Sequence, residues 1–380
     1  MNSPRRYESL DSLRGIAAMS VVLYHIPFDT WLTNNAFVRR GYLMVDLFFV
    51  LSGFVMYHTY GDRLRTQVQC KAFLVSRFFR IYPLHFVTLL FYLAIECAKY
   101  GLEQRAGLVV STPAFSQNNL GSLISNLLLL QSMHVHPYLT YNFPSWSIGV
   151  EFYTYIAFAL CMVSLGRGTR KGWALGSLVL AILLYAGIYD QFHKIDVTYD
   201  FGFIRCVAGF SLGIFSHFLH RAVSARLPPQ VITWATYAVL TGSVLLLSQT
   251  WIADVEFAMP PLFALLISGL SSVPETGSIH RALTVPVFSW LGEKSYSLYM
   301  LHAAVIRVCL QIMKFALKIQ IDVEGTGQTK SPVDPTVGMI AIVCILVVLI
   351  VASGLAFKLI EERFRLYGKR LTQPWLKQAV

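Results

Sequence analysis

Charge is what this chain has least of. Asp, Glu, Lys and Arg make up 13% of its 380 residues, hydrophobic residues make up 55%, and the mean hydropathy is +0.56. A soluble domain carries roughly a quarter of its residues charged, so a soluble fold is excluded. Cysteine is present but not organised. Cys70, Cys97, Cys161, Cys206, Cys309 and Cys344 are scattered, mostly within apolar runs, with no CxxC pair and no Cys/His cluster. That spacing gives neither a disulfide framework nor a zinc site, and no metal is expected. A repeat of fixed period and low-complexity tracts are also missing, which removes solenoid and array architectures. The charge that is present leans one way, with 31 Lys and Arg against 20 Asp and Glu. In a membrane protein such an excess records topology, so no nucleic-acid partner is expected.

What the chain does have is long apolar runs. About ten read as membrane helices, over roughly 11–28, 41–60, 81–100, 147–165, 173–189, 201–219, 231–249, 256–271, 287–313 and 336–360. The expected fold is all-α: a polytopic integral membrane helical bundle, one domain over 1–380, with a short basic tail at 361–380. Arg5, Arg6 and Arg14 precede a short apolar run, which mimics a signal peptide, but no small-residue cleavage site follows. With an even number of spans, about 20 of the 31 Lys and Arg fall on the side of the termini and about 8 on the other. The first group includes Arg63, Arg65, Arg167, Arg170, Lys171, Arg221, Arg226 and Arg281. This bias predicts that both termini are cytoplasmic. The opposite loops hold Asp190, Asp196, Asp254, Glu256, Asp322 and Glu324. Residues 118–133 are too short to cross and read as a helix on the outer surface. The outer loop 322–335, with Gly325, Gly327, Pro332 and Pro335, is the most flexible piece expected. Gly209 and Gly213 form a GxxxG pattern suited to close helix packing.

The first span carries Asp11, Arg14 and His25. Eleven residues are about three helical turns, so Arg14 and His25 share a face roughly 16 Å apart. Ionisable side chains in lipid face the bundle interior and mark a functional path. Asp46 in the second span and Glu151 in the fourth are expected at the depth of His25. A carboxylate orienting an imidazole that removes a hydroxyl proton is the general-base arrangement of acyl transfer. Arg77 and Arg80, one helical turn apart in the connection 71–83, point two guanidinium forks one way, which suits phosphate. Tyr296, Tyr299 and His302 recur every three residues, and His302 either lines the same cavity or bonds a neighbouring helix. For Arg205 and Arg307 a structural ion pair is expected. The outer aromatics Tyr138, Tyr141, Phe143 and Trp146 suit either a sugar or the membrane interface.

Five segments together resemble a known family. They are Leu10-Asp-Ser-Leu-Arg14-Gly with His25, Val45-Asp46-Leu-Phe-Phe, Arg77-Phe-Phe-Arg80-Ile-Tyr-Pro83, Trp146-Ser-Ile-Gly-Val-Glu151, and Ser295-Tyr-Ser-Leu-Tyr-Met-Leu-His302. In this order they resemble the membrane acyltransferase-3 family, the polysaccharide O-acetylases and their relatives, over nearly the whole chain. Ile148 stands where leucine is common. The resemblance implies about ten membrane helices and transfer of an acyl group, usually acetyl, from cytoplasmic acyl-CoA to a carbohydrate hydroxyl. It implies His25 as the catalytic histidine, Arg14, Arg77 and Arg80 on the donor side, and Asp46 and Glu151 as the motif carboxylates. Tyr299, His302 and Trp146 are expected to line the cavity. The C-terminal hydrolase domain of some members is not expected, since the chain stops at Val380. The bacterial inner membrane is also implied by resemblance alone. Within the enzyme class, the alternatives are a small-molecule acceptor such as a macrolide, a nodulation-type oligosaccharide, or a succinyl donor. Outside it, the alternatives are a transporter of a lipid-linked sugar and a lipid-binding sensory protein. Acceptor, acyl group and oligomeric state stay open.

Overall fold

A computed structural model describes residues 7–106, 112–165, 170–251, 254–319, 321 and 333–378. Arg5, Arg6, Arg167, Asp322, Glu324, Gly325, Gly327 and Pro332 lie outside these. The described residues are helical with no strand. Nine helices among them are long and apolar enough to cross a membrane. A tenth, α1 (Glu8–Tyr24), is one residue shorter than that group and carries Glu8, Asp11 and Arg14. It packs against four others inside the bundle: α3 (Met44–Tyr60), α10 (Val255–Ser272), α12 (Pro286–Glu293) and α13 (Ser295–Phe315). A polar helix can cross here because protein, and not lipid, surrounds it. The chain is an all-α polytopic membrane bundle, as its apolar runs require.

The remaining helices are α2 (Ala36–Arg39), α4 (Gln67–Ala106), α5 (Leu120–Leu127), α6 (Trp146–Ser164), α7 (Arg170–Phe192), α8 (Gly202–Arg226), α9 (Pro229–Ser248), α11 (Ser278–Leu283), α14 (Pro335–Ala356) and α15 (Glu362–Gln378). Contacts between distant segments fix which ends lie together. Arg40 Nη1 donates to the carbonyl of Leu246 (2.7 Å) at the end of α9, and the Tyr42 hydroxyl to Glu256 (3.0 Å) at the start of α10. At the other end the Tyr7 hydroxyl meets His220 near the end of α8 (3.2 Å), and the Lys71 ammonium sits 5.1 Å from the Trp375 ring. Arg63, Arg65, Lys71, Arg221, Arg226, Lys369 and Arg370 belong to the second set of helix ends, called the basic end below.

Three expectations are corrected. The segment 71–83 is not a connection but the first part of α4, whose 40 residues run about 60 Å. That is twice a hydrocarbon core, and α4 passes through Pro83 without ending. The ninth span is broken: α12 stops at Glu293 and α13 starts at Ser295. Its break lies against Gly15 of α1, because a Cβ on Gly15 would come within 2.4 Å of the Gly292 amide nitrogen. The surface helix expected over 118–133 is α5 alone. Leu128 closes it and Leu129 adopts a left-handed backbone. The Tyr82 hydroxyl and the His85 ring hold its end through the carbonyls of Leu127 and Asn126, both at 2.9 Å. The tail 362–378 is helical and packs along α4, with Tyr367 5.2 Å from Phe79.

The closest approach in the bundle is between α3 and α8. A Cβ added at Gly53 would stand 1.9 Å from the carbonyl oxygen of Phe210, and one at Gly213 1.9 Å from that of Val50. Gly213 is the second glycine of the GxxxG pattern, and small residues let backbones touch where lipid offers no hydrophobic drive. Gly213→Ala must push the two backbones apart, at about 1–3 kcal/mol. Gly242 in α9 has open space around it. The expected outcome is a lower melting temperature in detergent for Gly213→Ala and no loss for Gly242→Ala. Equal melting of the two variants would show that the contact is not limiting.

Candidate active site

The ionisable residues gather at two levels. At the basic end Arg14 Nη2 donates to Asp11 (2.9 Å), one turn earlier on α1, and its Nε to the Ser295 hydroxyl (3.0 Å) at the start of α13. The break between α12 and α13 therefore delivers a hydroxyl and a carbonyl, that of Gly292, to this guanidinium. Arg14 keeps 28% of its side chain accessible inside the bundle, so it faces a hollow. Arg77 and Arg80 diverge more than their spacing predicts. Arg77 turns to α3, donating to the Tyr60 hydroxyl (3.2 Å) above the Tyr60 and Phe73 rings. Its buried Nε has no hydrogen-bond partner among the described residues. Arg80, one turn on, is near enough for its charge to act on Arg14 of α1 and on Glu361. It makes no hydrogen bond or ion pair among the described residues. Guanidinium groups inside a membrane bundle with donors to spare fit an anion that is not part of the chain.

At the opposite end His25 follows the last turn of α1. Its ring centroid lies 5.0 Å from that of His302, 5.0 Å from Phe143 and 4.8 Å from Tyr24. Nδ1 faces the Val21 carbonyl one turn back at 2.9 Å. A carbonyl only accepts, so the neutral ring carries its proton on Nδ1 and leaves the Nε2 lone pair open. His302 repeats the device: Nδ1 bonds the Tyr299 carbonyl at 2.6 Å, and Nε2 is buried without a partner. The Tyr299 hydroxyl pairs with Ser147 at 2.8 Å. Tyr296, one turn nearer the basic end, donates to the Ile81 carbonyl just before Pro83. The face Tyr296–Tyr299–His302 therefore joins the two levels.

The carboxylates do not go where the sequence puts them. Asp46 or Glu151 was expected to orient His25. Instead Asp46 accepts two hydrogen bonds from Arg205 of α8, at 3.0 and 2.7 Å, with both side chains wholly buried. Arg205 also holds Asp196 at 2.9 Å. The ion pair expected for Arg205 is thus present, and its partner is the carboxylate assigned to catalysis. Glu151 was expected at the level of His25. It accepts from Ser52 and from Tyr155 (2.5 Å), and its charge acts on Arg77. Neither carboxylate hydrogen-bonds His25. The one carboxylate whose charge acts on that ring is Asp196, which the sequence offered only as a loop residue. Trp146 is buried under Arg205, whose guanidinium carbon is 5.6 Å from its ring, and packs on Phe49. It covers the ion pair. Among the described residues Arg307 has no carboxylate partner, and it lies over the Tyr92 ring at 5.9 Å.

Breaking a buried ion pair by removing one partner costs about 3–5 kcal/mol. Asp46→Asn is expected to lower the melting temperature and the yield of folded protein, with activity falling in step with folded protein. Full stability with activity lost would return Asp46 to the chemistry.

Comparison with known proteins shows the family. The family model described as an acyltransferase domain matches residues 7–357. "Acyltransferase MdmB" of Streptomyces mycarofaciens is 27% identical over 402 aligned residues, covering 96% of this chain and 93% of its own length. A Staphylococcus aureus protein named "Putative O-acetyltransferase" is 26% identical over 324 residues, 80% of this chain, and the chain spans about half of that relative (51%). "Protein 2 in picA locus" of Rhizobium radiobacter is 41% identical over a shorter stretch of 90 residues, 23% of this chain and 44% of that relative. No solved structure matches. The chain belongs to the acyltransferase-3 family and is an integral membrane acyltransferase.

Proposed function

We propose that the enzyme moves an acyl group, acetyl in the simplest case, from cytoplasmic acyl-CoA to a carbohydrate hydroxyl reached from the opposite face of the bacterial inner membrane. The observation that carries this reading is the division of labour along α13. Guanidinium groups with unused donors lie at the basic end, and an imidazole with an open Nε2 lies at the other. Cation bias puts the basic end, and with it both termini, in the cytoplasm, where acyl-CoA is found.

Arg14, Arg77 and Arg80 bind the donor phosphates, and the acyl arm extends along Tyr296 and Tyr299 toward His25. His25 Nε2 removes the acceptor hydroxyl proton. The oxygen forms its bond to the thioester carbonyl carbon, and the carbon–sulfur bond breaks. The leaving thiolate takes the proton from the imidazolium, which restores His25. The Val21 carbonyl holds the tautomer throughout. Glu151 takes a supporting part, holding Tyr155 and Ser52 beside Arg77.

The general base contributes about 10²–10⁴-fold in reactions of this kind. His25→Ala should therefore lower turnover by at least about 10²-fold while the protein still reaches the membrane. The check is O-acyl content of surface polysaccharide in cells with the gene, without it, and with the variant. Full restoration by His25→Ala removes the base assignment. An unchanged polysaccharide profile on deletion moves the acceptor to a smaller molecule. Arg77→Ala should raise the apparent KM for acyl-CoA about tenfold, as expected for one lost charge-assisted contact, with a smaller effect on kcat. An unchanged KM would remove Arg77 from the donor site.

A further inference from the structure

Glu361 has no place in the mechanism above, and it lies beyond the stretch matched by the family model. It ends a π-helical turn, Phe357–Glu361, between α14 and α15. Such turns are rare and concentrate at functional sites. Here the turn carries a carboxylate into the bundle: Glu361 is 2% exposed. Among the described residues its single hydrogen bond comes from the hydroxyl of Ser297 on α13, also buried, at 2.7 Å. Among the described residues it has no ion pair within 4 Å. The charges that act on it are those of Arg80, Arg14 and Arg365. A buried carboxylate needs compensating charge, and the turn that carries this one packs on α4, the helix of Arg80, while its partner Ser297 stands two residues from the Ser295 hydroxyl that accepts from Arg14. Arg80 in turn has no hydrogen-bonded partner among the described residues. Ser297 holds the carboxylate on the α13 side.

We propose that Glu361 is the resident counter-anion of the donor site, balancing Arg80 and Arg14 while the site is empty and opposing the donor phosphate when it binds. The inference rests on the donor reading above. The role is regulatory: the carboxylate sets how tightly the anionic end of the donor is held, so that coenzyme A leaves after transfer. Ser297 is the spacer. Without its hydroxyl the carboxylate is free to swing onto Arg80 and occupy the site itself. The amphipathic α15, packed on α4 through Tyr367 and Phe79 and through Lys71 and Trp375, fixes the far side of the turn.

The test is coenzyme A binding to the full chain in lipid nanodiscs by calorimetry, with wild type, Glu361→Gln and Ser297→Ala. One unit charge at about 10 Å across a partly wet site corresponds to about a three- to tenfold change in affinity. Glu361→Gln should bind coenzyme A tighter by that factor, and Ser297→Ala should bind it weaker. A purely structural Glu361 predicts weaker binding for both variants or no change in either, and each of these results overturns the proposal. If Glu361→Gln does not fold, Ser297→Ala decides with two ligands: weaker binding of coenzyme A with binding of pantetheine, which lacks the phosphates, unchanged supports the counter-anion, and any other result overturns it. Wild type that binds no coenzyme A overturns the donor reading itself and this inference with it. Wild type that binds while Glu361→Gln is unchanged overturns this inference alone.

Discussion

The bundle depends on one buried guanidinium. Arg205 spans two helices and a loop: it grips Asp46 of α3 with two hydrogen bonds, Asp196 with a third and the Val197 carbonyl with a fourth. Isolated, such a charge would be among the most expensive groups a membrane protein could bury. Fully paired, it admits one relative placement of α3 and α8, because the fork accepts a carboxylate in one plane. Gly53 and Gly213 bring the same two helices into backbone contact further along, so pairing at one point and steric fit at another specify the same register. Trp146 then closes over the guanidinium, which sets the start of α6 and, one turn on, the place of Glu151.

That framework explains why the polar groups split into two levels. α13 begins part-way along the bundle, where Gly15 and Gly292 let α1 and the α12–α13 break meet. From Tyr296 to His302 is six residues, about 9 Å of helix, and this short rise separates the arginine cluster from the histidines. Along α13, charge is concentrated at its first turn, where Ser295 meets Arg14 and Ser297 meets Glu361. Neutral hydrogen-bonding groups, Tyr299 with Ser147 and the two imidazoles with their carbonyls, continue inward. The gradient runs from fixed charge to groups that exchange protons.

Hydropathy made the ten spans legible, because a membrane core accepts only long apolar segments and the runs announce themselves. It misjudged what continues them. Residues 67–80 are too polar to be read as a span, yet they form the first turns of α4. The α12–α13 break leaves no mark in an apolar window. Spacing along one helix was legible too: Asp11 with Arg14, and Tyr296 with Tyr299 and His302. Rotation of one helix against another was not. Asp46 and His25 look alike in depth, but α3 turns its carboxylate to α8, and nothing in a single sequence says which neighbour it meets. Glu361 was missed for the same reason. It stands at the edge of a basic tail, and only the π turn brings it inside.

That no carboxylate among the described residues hydrogen-bonds His25 has a physical logic. A carboxylate beside an imidazole in a low-dielectric site stabilises the protonated ring, and a general base must begin unprotonated. A backbone carbonyl gives the same orientation and tautomer with no net charge. Its position one turn back on the same helix makes the geometry part of α1 itself, independent of any neighbouring helix. His302 is held in the same way, so both Nδ1 positions are committed to backbone carbonyls while the ring centroids stand 5.0 Å apart. The carboxylates are placed where permanent charge is useful: Asp46 in the clamp, and Glu151 and Glu361 among the arginines. In this bundle the assignment of a carboxylate follows from which cation it faces, and its depth in the membrane says little.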